Sequence, residues 1–231
     1  MTKLRDVSLF SFSERPDSQK FNRGTLCVQD LYYRNLTPIK TNKIHKISIH
    51  LYDSDIDVER LNEFNVRMNK SFSLIDIIKI NHYFDFDQYF NQPIEIQKRI
   101  ILDLLYEDSI NVCEAENWDS TNFKLAYEAC LEQDLKNAFY DKEKAWNRNR
   151  SMYVNLKVIF ETDILRGIVE VYRKDGSLVL EKELFAVEPM QIQHPFFAKV
   201  KWLSRNKFRV APISFFNQLT DDEFWDIEVE E

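Results

Sequence analysis

The amino-acid sequence predicts an α+β protein, with antiparallel sheet built from the N- and C-terminal segments and a central antiparallel pair of helices. Three observations predict it. Alternating β-branched and aromatic residues fill both ends of the chain, as in 43–52 (KIHKISIHLY) and 152–160 (MYVNLKVIF). A 3.6-residue apolar stripe fills the middle. The resulting order, strands then helices then strands, is that of an α+β fold rather than of alternating βα units.

The first ninety residues read as mainly β. Residues 7–12 (VSLFSF) are strand-like, and 13–24 are polar, contain Pro16 and Gly24, and read as a loop. In 43–52, Ile47, Ile49 and Leu51 share one strand face, and Asp53-Ser54-Asp55 breaks the run. Residues 57–70 fit two periods. Val58, Leu61, Phe64 and Met68 have helical spacing, while Phe64, Val66 and Met68 have strand spacing. Residues 75–84 (IDIIKINHYF) alternate as a strand, and 85–90 connect onward.

Residues 91–147 read as the helical hairpin. Pro93 suits the first helical position, with Asn91 or Gln92 as cap. Ile94, Ile101, Leu104, Leu105 and Val112 make a stripe through 93–113. Asn117-Trp118-Asp119 breaks it, and a second helix is predicted from Ser120 to Trp146 on Phe123, Tyr127, Cys130, Leu131, Leu135, Ala138 and Phe139. The short connection favours antiparallel packing.

Residues 148–231 read as antiparallel β. The segments 152–160 and 165–173 flank a turn at Glu161-Thr162-Asp163, and Asp175-Gly176 marks the next hairpin, returning through 178–187. Pro189 and Pro195 bracket a loop, 198–203 and 207–211 pair around Arg205-Asn206, and 224–229 forms a last strand. The expectation is a single domain over 1–231, since 231 residues with 44% hydrophobic content can bury a core without disulfides or metals.

Composition narrows the function classes. Three glycines rule out GxGxxG and GxxxxGK phosphate loops, which need glycine where backbone meets ligand. Gly-x-Ser-x-Gly and HExxH are absent. Cys27, Cys113 and Cys130 are odd in number and unpaired in spacing, so they read as reduced, buried thiols. The opening residues lack the apolar core of a secretion signal and no run reaches membrane-spanning length, so a cytoplasmic protein is expected. No cofactor and no metal is expected. Asp53-x-Asp55-x-Asp57 starts like a calcium loop but has Val58 and Phe64 where glycine and glutamate belong.

Charge is uneven within a net −7. Residues 100–123 hold Asp103, Glu107, Asp108, Glu114, Glu116 and Asp119 without a Lys or Arg. Residues 221–231 are again purely acidic, with Phe215, Phe216, Phe224 and Trp225 within or beside them. Such runs are commonly solvated faces. They also suit a surface that meets a basic partner, with aromatic anchors ringed by acids. The contact candidates are Asp103, Glu107, Asp108, Asp222, Glu223 and Trp225. Two alternatives stand beside this one. An enzyme with an unfamiliar acidic site would use Asp85, Asp87, Glu161, Asp163 or His194. A nucleic-acid binder would use the basic hairpin of Lys199, Lys201, Arg205, Lys207 and Arg209, although alternation sets Trp202 on the face opposite Lys199 and Lys201, and the net charge opposes a polyanion.

The elements FDFDQYF (84–90), QKRIILDLLYEDSI (97–110), NWDSTNFKLAYEA (117–129), NRNRSMYVNLKV (147–158), VYRKDGSLV (171–179) and FAKVKWLSRNKF (197–208) together resemble an uncharacterised group of bacterial proteins of similar size, in which a helical pair precedes a β-meander. The resemblance implies a fold and no activity. A looser likeness is to the immunity proteins of bacterial toxin systems, which are small, acidic and cytoplasmic. That likeness implies a non-enzymatic protein that masks a basic toxin domain.

Overall fold

In the computed structural model the described residues are 2–57, 72–74, 76–190, 196–212 and 224–230, with only the backbone described at 72–74 and at Ala198. The chain forms two compact units, Met1–Asn137 and Ala138–Glu231.

The first unit runs β1 (Thr2–Leu4), β2 (Asp6–Ser11), α1 (Ser18–Asn35), β3 (Ile39–Thr41), β4 (Lys46–Asp53), β5 (Phe72–Leu74), β6 (Ile77–Phe84), α2 (Phe86–Phe90), α3 (Ile94–Glu116) and α4 (Thr121–Glu132). Its main sheet has the order β2-β4-β6-β5, and β1 pairs separately with β3. Alternation puts Val7, Leu9, Ile47, Ile49, Leu51 and Ile78 on one face, all buried. Helices α1 and α3 pack on that side, and α4 packs on α1. The stripe of α1 is Phe21, Thr25, Val28 and Tyr32, at spacings of three and four, each buried.

Side-chain amides finish the outer edge of β2. The Leu9 N–H donates to Gln29 Oε1 at 2.8 Å, and Gln29 Nε2 returns to the Leu9 carbonyl at 2.9 Å. Two turns earlier on α1, Asn22 does the same for Ser11, accepting its N–H at 2.6 Å and donating to its carbonyl at 3.1 Å. Backbone groups that no strand among the described residues pairs are thus satisfied by the helix.

The α+β class holds, and several of its parts differ from expectation. The segment read as a loop over 13–24 contains the start of α1, and Gly24 sits inside that helix. Because a helix joins β2 to β4, those strands lie parallel, as do β4 and β6. The N-terminal sheet is therefore antiparallel only where β5 meets β6. The helix expected to reach Trp146 ends at Glu132. Asp134 and Leu135 take positive φ, 50° and 53°, which no helix tolerates, and the chain continues as a strand. The earlier break at Asn117 is as read: it is left-handed, φ 54°, and lets the Trp118 N–H reach the Cys113 carbonyl at 2.8 Å. Residues 58–70, with their two periods, lie outside the described residues.

The second unit runs β7 (Asn137–Trp146, its first residue counted with the first unit), β8 (Met152–Phe160), β9 (Leu165–Arg173), β10 (Leu178–Val187), β11 (Phe197–Trp202), β12 (Lys207–Pro212) and β13 (Trp225–Glu228). One sheet has the order β10-β9-β8-β7 and another β11-β12-β13. The Asp175-Gly176 turn closes β9 onto β10 with Gly176 at φ 88°. Val154, Leu156, Val158, Phe160, Leu165, Val169 and Val171 form the buried face of the four-stranded sheet. Phe185 of β10 meets Phe197 and Trp225 of the smaller sheet at ring separations of 5.9 and 6.1 Å.

Candidate functional site

Of the acids predicted on α3, Glu107 is exposed. Asp103 accepts from Arg99 Nε at 2.8 Å and from the Tyr127 hydroxyl at 2.8 Å. Asp108 is buried at 3% exposure, with His82 Nε2 2.7 and 2.8 Å from its two oxygens. The Asp108 hydrogen bond outweighs burial and holds the His82 imidazole above the usual histidine range. Glu107 and Glu114, seven apart on one helical face, are both exposed, as are Glu95 and Glu116 near the ends of α3. Asp222 and Glu223 lie outside the described residues. Trp225 is half-buried, its ring engaged with Phe185 and Phe197. Its neighbour Asp226 is clamped by Arg209 through two bonds of 2.7 and 3.0 Å.

The residues proposed for an acidic enzyme site divide between the units. Asp85 caps α2 by accepting the Gln88 N–H at 2.8 Å. Asp87 joins a knot where β2, β4 and β6 end: Arg15 donates to Asp17 at 3.0 Å, to Asp53 at 2.7 Å and to Asp87 at 2.5 Å. Burial opposes ionisation of Asp53, but the Ile56 N–H, Arg15 and the Asp55 N–H together hold its carboxyl below the usual range. One guanidinium thus ties the segment before α1 to the end of β4 and to α2, with each of its nitrogens engaged. Glu161 and Asp163 sit in the β8–β9 turn of the second unit, and His194 lies outside the described residues. In the basic hairpin, Trp202 donates its indole N–H to the Ala145 carbonyl at 2.9 Å and packs on Phe208. Arg209 lies over the Phe224 ring at 3.6 Å while it holds Asp226. Lys199 and Lys201 project from the strand, both exposed.

A different cluster covers the other face of the four-stranded sheet. Alternation and register place Tyr153, Asn155 and Lys157 of β8 beside Tyr172, Glu170 and Ile168 of β9. Glu170 is buried at 3% exposure, an unusual place for a carboxylate on a sheet face. It accepts from the Tyr172 hydroxyl at 2.8 Å and the Tyr140 hydroxyl at 3.0 Å, with Lys157 Nζ at 3.5 Å. Burial first, then the Glu170 carboxylate, pushes both tyrosine hydroxyls above their usual range, so both remain donors. Tyr153 stacks on Tyr172 at 5.3 Å and 15°, and Trp146 leans on Tyr153 at 4.8 Å. Asn155 accepts the Lys144 N–H at 2.8 Å where Lys144 bends β7 with φ 50°. On β10, Leu178 stands opposite Tyr172, Glu181 opposite Glu170 and Glu183 opposite Ile168, and all three are exposed.

Nothing in this cluster is arranged as a nucleophile with a base. The carboxylate is fully engaged, and its effect is mechanical: it fixes two tyrosines whose rings reach solvent, with Tyr140 40% exposed. Sequence reasoning missed the cluster. The available signal was a glutamate on the polar phase of a strand, two residues before a tyrosine, in GIVEVY. Among the described residues no group of three or more His, Cys, Asp or Glu could hold a metal ion, and no helix is long and apolar enough to cross a membrane. No family model, curated protein or solved structure matches this chain.

Proposed function

We propose that the protein is a non-enzymatic binding module for another protein, and that the tyrosine-rich face of the β7–β10 sheet is its contact surface. The observation that carries this reading is Glu170 buried between the hydroxyls of Tyr140 and Tyr172, with Tyr153 and Trp146 stacked alongside. Tyrosine and tryptophan supply large contact area at small entropic cost, and more so when their torsions are already fixed. The exposed Glu181 and Glu183 beside them favour a partner with basic groups. In this reading the protein works in the bacterial cytoplasm, and a basic toxin domain masked by occlusion is the partner to test first.

The test is a direct binding measurement between purified proteins, beginning with products of neighbouring genes. Tyr140→Ala and Tyr153→Ala are each expected to weaken the complex by about tenfold or more, the scale of an interface anchor. Glu181→Lys together with Glu183→Lys should slow association and reduce its salt dependence. A complex that forms with unchanged affinity in all of these variants removes this face as the contact surface. An absence of any stable partner removes the binding-module reading itself.

A further inference from the structure

Beyond that reading, we infer that the face of the β2–β4–β6 sheet opposite its helices carries a binding site for a small oxyanion, a carboxylate or a phosphate group, centred on the row Ser8, Ser48 and Lys79. Parallel register sets these three side by side across the strands. The adjoining rows are Phe10, His50 and Asn81 on one side, and Asp6, Lys46 and Ile77 on the other.

A buried sheet face is ordinarily apolar, and buried polar groups are ordinarily paired. Here Ser8 is 4% exposed, Ser48 7% and His50 8%, and among the described residues Ser8 Oγ has no hydrogen-bond partner. Ser48 Oγ lies 2.9 Å from His50 Nε2, and Phe12 stacks on the imidazole at 4.0 Å. With the Nε2–H tautomer, His50 donates to Ser48, whose own proton then points outward beside that of Ser8. Two hydroxyl donors and the half-buried Lys79 thus share one row across the strands, with half-buried Asn81 in the next. Among the described residues Lys79 has no ion-pair partner, whereas Lys46 holds the one carboxylate of this face, Asp6, at 2.9 Å. An oxyanion offers two acceptors and one negative charge, which is what the row lacks. Burial, then Lys79 and Lys46, lower the His50 pKa to about 4, so the imidazole is neutral near pH 7 and responds to the positive charge beside it. A bound anion offsets that charge and makes His50 easier to protonate.

The experiment follows the His50 ring resonances of the full chain by NMR, assigned with His50→Gln. Inorganic phosphate and acetate are titrated separately at ionic strength held constant with chloride. The expected result is a saturable shift and a raised His50 pKa with at least one of them. Saturation by phosphate alone identifies a phosphate ligand, and by acetate alone a carboxylate. Ser8→Ala and Lys79→Gln are each expected to weaken the response by about tenfold, while Lys182→Gln on the exposed part of β10 leaves it unchanged. If Ser8→Ala does not fold, the wild-type titration and Lys79→Gln decide. Shifts that saturate with neither anion, or that are the same in Lys79→Gln, overturn the site.

Discussion

His82 and Asp108 show how one contact sets a pH dependence. The histidine pKa is raised in the folded chain, from 6.5, because the buried Asp108 carboxylate favours the charged ring. Its stabilising contribution is therefore complete below the unfolded pKa and is lost as pH rises through the higher folded value. Thermal midpoints across that window should fall with rising pH in the wild type, and His82→Gln should remove that part of the slope. An unchanged slope in the variant would show that the pair contributes nothing. Gln29 makes a separate point. Gln29→Ala strips the Leu9 N–H and carbonyl of their partners inside the first unit, each worth about 1–3 kcal/mol when orphaned. Gln29→Glu keeps an acceptor but loses the donor, so chemical denaturation should rank it between the wild type and the alanine variant. Neither contact was visible in the sequence, because each joins residues far apart in the chain, 26 apart for the ion pair and 20 for the amide.

Elements were legible where local pattern and final structure obey the same rule. The alternation of 43–52 gave β4, the stripe from Ile94 gave α3, and Asp175-Gly176 gave the β9–β10 hairpin. Pattern misled where two elements meet without Gly or Pro between them. Leu135, Ala138 and Phe139 extend the stripe of α4 in register, yet the backbone at Asp134 and Leu135 has already turned. The opposite error hid α1, whose Phe21, Thr25, Val28 and Tyr32 spacing was present but broken to the eye by Gly24. Losing that helix also lost the parallel direction of β2 and β4, since direction follows from the connection and not from the strands. Packing between elements gives a prediction here. Gly167 of β9 faces Phe185 of β10, and an added Cβ would lie 2.2 Å from the ring. Gly167→Ala should therefore destabilise by about 1–3 kcal/mol, as overpacking does. The companion Phe185→Leu should partly rescue it in a double-mutant denaturation cycle.

Across the whole molecule, the chain divides after Asn137 into units that each hold their own buried residues, Leu9, Ile49 and Leu105 in one, Leu156, Val169 and Phe208 in the other. Fragments 1–137 and 138–231 are each expected to show cooperative thermal unfolding by circular dichroism, and a featureless melt from either would contradict that division. The candidate surfaces were the least legible level. The acidic run 100–123 read as a solvated face or one that meets a basic partner, but folding sends Asp108 inward to His82 and gives Asp103 to Arg99. The tyrosine face depended on register between strands, which a single sequence leaves open.

The amides of Asn22 and Gln29 reach further than the stability of one strand. A naked strand rim is an invitation for a foreign backbone to dock, and repeated docking grows into fibrils. Along β2 that invitation is withdrawn, because α1 already occupies the hydrogen-bonding groups of Leu9 and Ser11. The helix that makes these strands parallel therefore also shields this margin from such docking at Leu9 and Ser11.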